Sequence, residues 1–164
     1  MSAKGAVISD TGPLSYLHRL GRIELLRTLY GRIIVPPAVV AELGAGHRLG
    51  KDLPDVAALS WIEVRVPAAS SLAGLDSLGP GEAEGIALAR TLPGALLILD
   101  DAEARRAAAA GGLRVTGTIG VLLVAKERGL VERIELELTR LRAFGFRLAE
   151  AVRLDVLRRA GELE

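Results

Sequence analysis

Short apolar runs alternate along the chain with longer segments in which apolar residues recur every three or four positions. Four of the runs, at 5–9, 32–35, 95–99 and 113–115, have the length and composition of buried strands. A fifth, at 61–66, alternates apolar and polar residues, which is typical of a half-exposed strand at a sheet edge. Strands that alternate with helices predict an α/β fold, with a central parallel sheet flanked by helices in a three-layer α/β/α arrangement.

The segments between the strands carry the helical pattern. Helices are predicted at 13–20, 23–30, 36–43, 80–89, 102–110, 119–128, 131–143 and 148–160. Proline stands at the start of several of them, because its fixed φ angle suits the first helical position. The length of 164 residues predicts one domain, 1–164, in which 131–164 is a helical extension packed on the rest.

Two buried runs end abruptly on acidic residues. Asp10 follows the first strand, and Asp100 and Asp101 follow the run at 95–99. Ligands of open parallel sheets bind beyond the carboxyl ends of the strands, so these acids are candidates for a functional site. A structural interpretation stays open, in which Asp101 caps its helix and Asp10 belongs to an Asx-type turn.

Three glutamates on predicted helices can join these acids. Glu82 and Glu84 lie in the first turn of the helix that follows Pro80, and Glu42 lies inside the helix that opens at Pro36. Each has an ordinary alternative: carboxylates favour helix N-termini, and a lone helical glutamate is usually solvated. If the acids converge at one edge of the sheet, however, they form a cluster of carboxylates.

A cluster of carboxylates needs a counter-charge. Two carboxylates about 5 Å apart repel by roughly 3 kcal/mol at an effective dielectric near 20. Oxygen ligands without histidine or cysteine favour Mg²⁺ or Mn²⁺, whose bound waters can attack phosphorus. His18 and His47 have no spacing that suggests a metal pair, and the chain has no cysteine. Phosphodiester hydrolysis fits best, since it needs no nucleophilic side chain.

Composition narrows the function further. Only five residues are aromatic, which argues against an RNA binder that stacks bases on an aromatic platform. The absence of cysteine and the acidic break at Asp10 in the first apolar run predict a cytoplasmic protein with no targeting segment and no membrane span. Arginines crowd the chain after residue 127, where they can face phosphate or line solvated helices.

Five blocks of sequence, in order, resemble the PIN-domain nucleases, and in particular the DUF3368 branch related to VapC-type toxins. The blocks lie at 7–14, 39–43, 81–89, 99–105 and 115–123. In the same order, their central motifs are Ile8-Ser9-Asp10-Thr11, Ala41-Glu42-Leu43, Glu82-Ala83-Glu84, Leu99-Asp100-Asp101 and Thr116-Gly117-Thr118. The resemblance implies a sheet flanked by helices and a Mg²⁺- or Mn²⁺-dependent ribonuclease. It matches Asp10, Glu42, Glu84 and Asp101 to the family's acids, while Glu82 and Asp100 stay open as metal ligands beside them.

The resemblance also implies partners and a mechanism. We expect a toxin that hydrolyses single-stranded RNA with a metal-activated water, pairs with a small antitoxin and forms a homodimer. Thr11, Thr116 and Thr118 are candidates for hydrogen bonds to the ligating carboxylates. Arg105 and Arg106, directly after the second pair of acids, are candidates for RNA contacts, whereas arginines of the C-terminal helices are expected to lie too far away.

The apolar stripe of the last predicted helix is the sequence feature that suggests a dimer. It is formed by Leu148, Val152, Val156 and Ala160. Two other functions stay open. One is a catalytically silent fold that binds RNA or protein, with its acids reduced to helix caps. The other is a response-regulator receiver, which is weaker because Thr116 to Thr118 stand where its lysine is expected.

Overall fold

A computed structural model describes residues 5–163, so the predicted domain 1–164 reaches slightly beyond the described residues at both ends. Five short strands form one parallel sheet in the order β3-β2-β1-β4-β5. They are β1 (Val7–Ser9), β2 (Ile33–Val35), β3 (Ile62–Val64), β4 (Leu96–Ile98) and β5 (Arg114–Thr116). The predicted α/β class is confirmed, and β3 is the edge strand that its alternating pattern indicated.

Eight α-helices connect and cover the strands within this part of the chain. They are α1 (Thr11–Arg19), α2 (Glu24–Tyr30), α3 (Pro37–Arg48), α4 (Pro80–Thr91), α5 (Ala102–Ala110), α6 (Thr118–Glu127), α7 (Ile134–Ala143) and α8 (Glu150–Arg159). Two short 3₁₀ turns, Val56–Ala58 and Ala69–Leu72, flank β3. Among the described helices, none is long and apolar enough to cross a membrane.

Helix α3 runs one turn beyond its prediction. The apolar pattern ends at Leu43, yet the helix continues to Arg48. Gly46 in this extra turn is buried and packs tightly against the Leu53 side chain, which takes the place that a Cβ would occupy. The two basic residues of the last turn, His47 and Arg48, suit the negative end of the helix dipole. A local contact of this kind leaves no periodic signal in the sequence.

The sheet separates two apolar layers because successive strand residues point to opposite faces. Ile33, Val35 and Ile98 belong to one buried cluster, whereas Ile34 and Leu97 belong to the other. The first layer is built from α1, α2, α3, α6, α7 and α8, and the second from α4 and α5. The C-terminal helices therefore share the core of the first layer, into which they bury Ile134, Leu138, Leu141, Val156 and Leu157.

The carboxyl ends of the two central strands meet at the middle of the sheet. β1 pairs directly with β4, and the Asp10 amide donates to the carbonyl of Ile98 at 3.0 Å. The amide of Leu99 donates in turn to the carbonyl of Thr116 at 2.8 Å, where β5 ends. Asp10 and Asp100 are thereby delivered by neighbouring strands to the same edge.

Candidate active site

Asp10 is the buried centre of the acidic edge. Only 6% of its surface is exposed, and its Oδ1 is buried without a hydrogen-bond partner among the described residues. Within the described residues its side chain makes no capping hydrogen bond to α1. Burial, followed by the nearby negative charge of Glu82, raises the pKa of Asp10 to about 7, with smaller contributions from Glu42 and Asp100.

Glu42 reaches this edge from α3 and is held by two donors. The Thr11 hydroxyl donates to its Oε2 in a short hydrogen bond, and the Gly81 amide donates to its Oε1 at 3.2 Å. Glu42 is therefore half-buried and oriented toward the sheet, which excludes the alternative of a solvated helical glutamate. The predicted role of Thr11 as a carboxylate-binding hydroxyl matches this contact.

Gly81 shows how closely Asp10 and Glu42 approach each other. A Cβ at this position would lie 2.8 Å from Asp10 Oδ1 and 3.0 Å from each oxygen of Glu42. Three carboxylate oxygens thus surround the point where any other side chain would begin. Sequence reasoning missed this glycine, because its importance depends on two residues that are distant in the chain.

Glu82 follows Gly81 at the start of α4. Its carboxylate folds back toward Gly79, the residue that precedes the helix, where a Cβ would overlap Glu82 Oε2. After burial, the negative charge of Glu82 is nevertheless the main cause of the raised pKa of Asp10. Glu82 therefore belongs electrostatically to the cluster.

Asp100 lies at the end of β4 and is fixed by Thr118. The Thr118 amide donates to Asp100 Oδ1 at 2.8 Å, and the Thr118 hydroxyl donates to Oδ2 at 2.6 Å. Burial raises the pKa of Asp100, while these hydrogen bonds and the nearby Arg105 act in the opposite direction. Thr118, which was expected to support the site, thus orients one of its acids, and it starts α6 rather than capping it.

Glu84 and Asp101 make different contacts from those of the other four acids. Glu84 accepts a hydrogen bond from the Ala38 amide at 2.8 Å, at the N-terminus of α3. Asp101 is exposed and caps α5 by accepting from the Ala104 amide at 2.9 Å. Both carboxylates therefore satisfy free amides of helix first turns. Of the alternatives that the sequence left open, these contacts favour Glu82 and Asp100 as members of the cluster.

Thr116 faces away from the acids. Its hydroxyl lies against Gly120 in the first turn of α6, so closely that a Cβ on that glycine would overlap it. In the described part of the chain it makes no hydrogen bond to a carboxylate. Thr116 is the last residue of β5, whereas Thr118 lies beyond the strand in the first turn of α6, where its amide and hydroxyl turn back toward Asp100.

The donor set fits a hard divalent cation. Asp10 offers a buried oxygen without a partner among the described residues, and Glu42 adds two oxygens beside it. Burial and then the neighbouring negative charges raise the pKa of Asp10, and a bound cation would offset both effects. Within residues 5–163, however, no three acidic or histidine side chains converge as a complete coordination shell, because several oxygens are turned to protein donors. The site has the chemistry of a metal centre without preformed coordination.

Arginines border the acidic edge. Arg105 donates to the carbonyl of Leu99 at 2.9 Å. Its guanidinium lies near Asp100, because a Cβ on Gly117 would be 2.7 Å from Asp100 Oδ1 and 2.8 Å from Arg105 Nη1. Arg106 is exposed and lines a shallow groove together with Arg105. The C-terminal part of the chain also borders this edge, because Arg147, which lies between α7 and α8, lines a second groove that begins at Asp100.

The fold and the acidic edge together define the class of protein to which the chain belongs, the PIN domains, whose members generally act as nucleases and generally use divalent metals. A family model described as a PIN domain, DUF3368, matches residues 6–162. The protein therefore belongs to the DUF3368 family. The match includes α7 and α8 and so extends through the C-terminal helices. No curated protein matches the chain.

Proposed function

We propose that this protein is a metal-dependent endoribonuclease that hydrolyses phosphodiesters of single-stranded RNA and serves as the toxin of a toxin–antitoxin pair. The observation that carries the proposal is the buried Asp10, whose Oδ1 has no hydrogen-bond partner in the described part of the chain and lies beside the carboxylate of Glu42. An uncompensated carboxylate at the carboxyl end of a central strand destabilises the fold, so a functional requirement is the best reason for its presence. Membership of a family of nucleases supports the same conclusion.

Asp10, Glu42, Glu82 and Asp100 are the residues that would hold Mg²⁺ or Mn²⁺. Such an ion supplies an activated water and neutralises charge on the phosphate. Thr11 and the Gly81 amide orient Glu42. Thr118 orients Asp100 in the same manner through its amide and its hydroxyl. Glu84 and Asp101 remain candidates for the family's third and fourth acids, and their helix-capping contacts are the reason to test them separately.

The chemistry can be tested with a fluorogenic single-stranded RNA in the presence of Mn²⁺. We expect cleavage by the wild type, none after addition of EDTA, and none by Asp10→Asn. Glu103→Gln is the matched control, because Glu103 is an exposed acid on α5 that makes no side-chain hydrogen bond in the described structure. Cleavage by Asp10→Asn at the wild-type rate would rule out this site.

A catalytically silent module that binds RNA or protein is the second candidate. It is favoured by the capping contacts of Glu84 and Asp101 and by the incomplete convergence of the acids. Thermal unfolding with Mn²⁺ separates the two proposals. An ion that binds only the native state stabilises that state by about 2.7 kcal/mol when the free ion concentration is one hundred times the dissociation constant. An unchanged melting temperature at millimolar Mn²⁺ would favour the silent module.

The proposed partners are an antitoxin and a second copy of the chain. The stripe predicted to form the dimer is divided in the structure, since Val156 is buried in the chain's own core while Val152 is 48% exposed. Any dimer contact through α8 would therefore depend on Val152 and its exposed neighbours. Analytical ultracentrifugation at micromolar concentration tests the dimer, and a monomer there would contradict it.

A further inference from the structure

A groove of about 460 Å³ leads away from Asp100 between two separate parts of the chain. One wall comes from the end of β5 and from α6, with the apolar side chains Ile119 and Leu123. The other wall comes from the segment between α7 and α8 and from α8 itself, with Arg147 and Val152. The volume lies in the range of about 300 to 1,000 Å³ that is usual for sites of small organic ligands. The groove opens directly onto the acidic edge.

The C-terminal wall is held in place by specific contacts. The Phe146 ring packs edge-on against Tyr16 of α1, with 5.0 Å between the ring centroids. Arg142 donates to the carbonyl of Leu148 at 2.8 Å and to Glu150 at 3.1 Å. These contacts join the segment to α1 on one side and to α7 and α8 on the other. The groove is consequently a built feature of the fold.

The charge of the groove suits a polyanion. Arg105 stands at its inner end beside Asp100. Arg159 is paired with Asp155 at 3.0 Å and so adds little net charge. Arg147 is exposed and makes no salt bridge within residues 5–163, which leaves its charge available to a ligand. Between the arginines the walls carry the apolar side chains Ile119, Leu123 and Val152, which can cover the face of a base.

We infer that this groove binds the single-stranded RNA that flanks the scissile phosphate, with a base against the apolar walls and a flanking phosphate on Arg147. The inference rests on the proposed ribonuclease function, which it extends to the path of the substrate. A strand whose phosphate lies at the acidic edge has to leave along one of the adjoining surfaces. This groove adjoins Asp100, has basic residues at intervals and offers an apolar surface between them.

Binding of a fluorescein-labelled twelve-nucleotide oligouridylate, followed by anisotropy in EDTA, tests the inference. We expect Arg147→Ala to weaken binding several-fold at low salt and to reduce the salt slope by about 0.7, which is the contribution of one contact to a single strand. The matched control is Arg158→Ala, because Arg158 is also exposed on the C-terminal segment and unpaired in the described structure but lies outside the groove. The control should bind like the wild type.

A second variant addresses the apolar part of the walls. Val152→Asp places a negative charge in the groove at a side chain that is already half exposed, so the fold should tolerate it. We expect weaker binding than in the wild type, with an unchanged melting temperature. Wild-type affinity and salt slope in both Arg147→Ala and Val152→Asp would overturn the inference. Failure of the wild-type protein to bind the oligonucleotide at low salt would also overturn it and would favour a protein segment as the occupant.

The outcome is separable from that of the proposed catalysis. Binding is measured without metal, so a protein that binds through Arg147 but never cleaves RNA with Mn²⁺ would retain the groove and lose the ribonuclease function. The reverse result is an active enzyme in which Arg147→Ala cleaves the twelve-nucleotide RNA with wild-type KM. That result would support the ribonuclease function and contradict RNA binding in the groove.

Discussion

Replacing Asp10 by asparagine should stabilise the protein in metal-free buffer, and the gain should depend on pH. The pKa of Asp10 rises from about 4 to about 7 on folding, mainly through burial and then through the charge of Glu82. An acid with a raised pKa favours the folded state while it is protonated. Its contribution is fully present below pH 4, declines as pH rises from 4 to 7, and is lost above pH 7.

The size of the effect follows from the same interval. Each unit between the folded and unfolded pKa corresponds to about 1.4 kcal/mol, so ionised Asp10 lowers the free energy of unfolding by up to roughly 4 kcal/mol at alkaline pH. Asparagine has nearly the same shape and no charge. We therefore expect Asp10→Asn to exceed the wild type by about 2 to 4 kcal/mol at pH 8 and to match it near pH 4.

Urea unfolding followed by circular dichroism at several pH values, with EDTA present, measures this difference directly. Glu103→Gln is again the control, since removal of an exposed acid should leave the wild-type pH dependence unchanged. Parallel stability curves for the wild type and Asp10→Asn between pH 4 and pH 8 would refute the reasoning. They would mean that Asp10 ionises without cost in the folded protein and that the acids do not repel one another.

Three further substitutions test individual parts of the site. Asp100→Asn should reduce Mn²⁺-dependent cleavage by at least a hundredfold. Asp101→Asn should retain cleavage and lose at most about 1 kcal/mol of stability, since asparagine also caps helices. Equal losses of activity in the two variants would contradict the assignment of Asp100 to the metal site. Gly81→Ala should fold but bind Mn²⁺ at least tenfold more weakly, because the added Cβ would lie 2.8 Å from Asp10 Oδ1. Isothermal titration calorimetry measures this affinity, and an unchanged value would exclude the close approach of Gly81 to the acids.

The elements of the sheet could be predicted because each buried strand is a short apolar run with a sharp end. Asp10 stood out for the same reason, since a carboxylate directly after such a run has to lie at the edge of the sheet. Four of the strands are shorter in the structure than the apolar runs, as at Val7–Ser9 within 5–9, because the terminal residues of those runs lie outside the ladder. The fifth, β5, keeps the predicted length but begins one residue later. Periodicity identifies a strand better than it identifies its ends.

The sequence could not show which of two neighbouring acids joins the cluster and which one bonds to the amides of a helix N-terminus. Asp100 and Asp101 are adjacent in sequence, and only the position of Thr118 and the start of α5 decide which one turns to the cluster and which one caps a helix. Glu82 and Glu84 differ in the same manner, since Glu84 meets the Ala38 amide of another helix. These choices depend on contacts between segments that are far apart in the chain.

The groove beside Asp100 was hidden from sequence reasoning for a related reason. An exposed arginine such as Arg147 looks the same in sequence whether it faces open solvent or a site. Its position is set by the packing of Phe146 on Tyr16, two residues that no local pattern connects. A segment that looked like a peripheral extension therefore forms one side of a groove at the acidic edge.

The central claim is that the carboxylates around Asp10 bind the ion that drives RNA cleavage. The most direct measurement follows Mn²⁺ occupancy by electron paramagnetic resonance and cleavage of single-stranded RNA in the same samples. We predict that the cleavage rate rises in proportion to bound Mn²⁺ and that Asp10→Asn loses both together. Cleavage by Asp10→Asn with wild-type dependence on Mn²⁺, or full Mn²⁺ occupancy of the wild type without any cleavage, would contradict the claim.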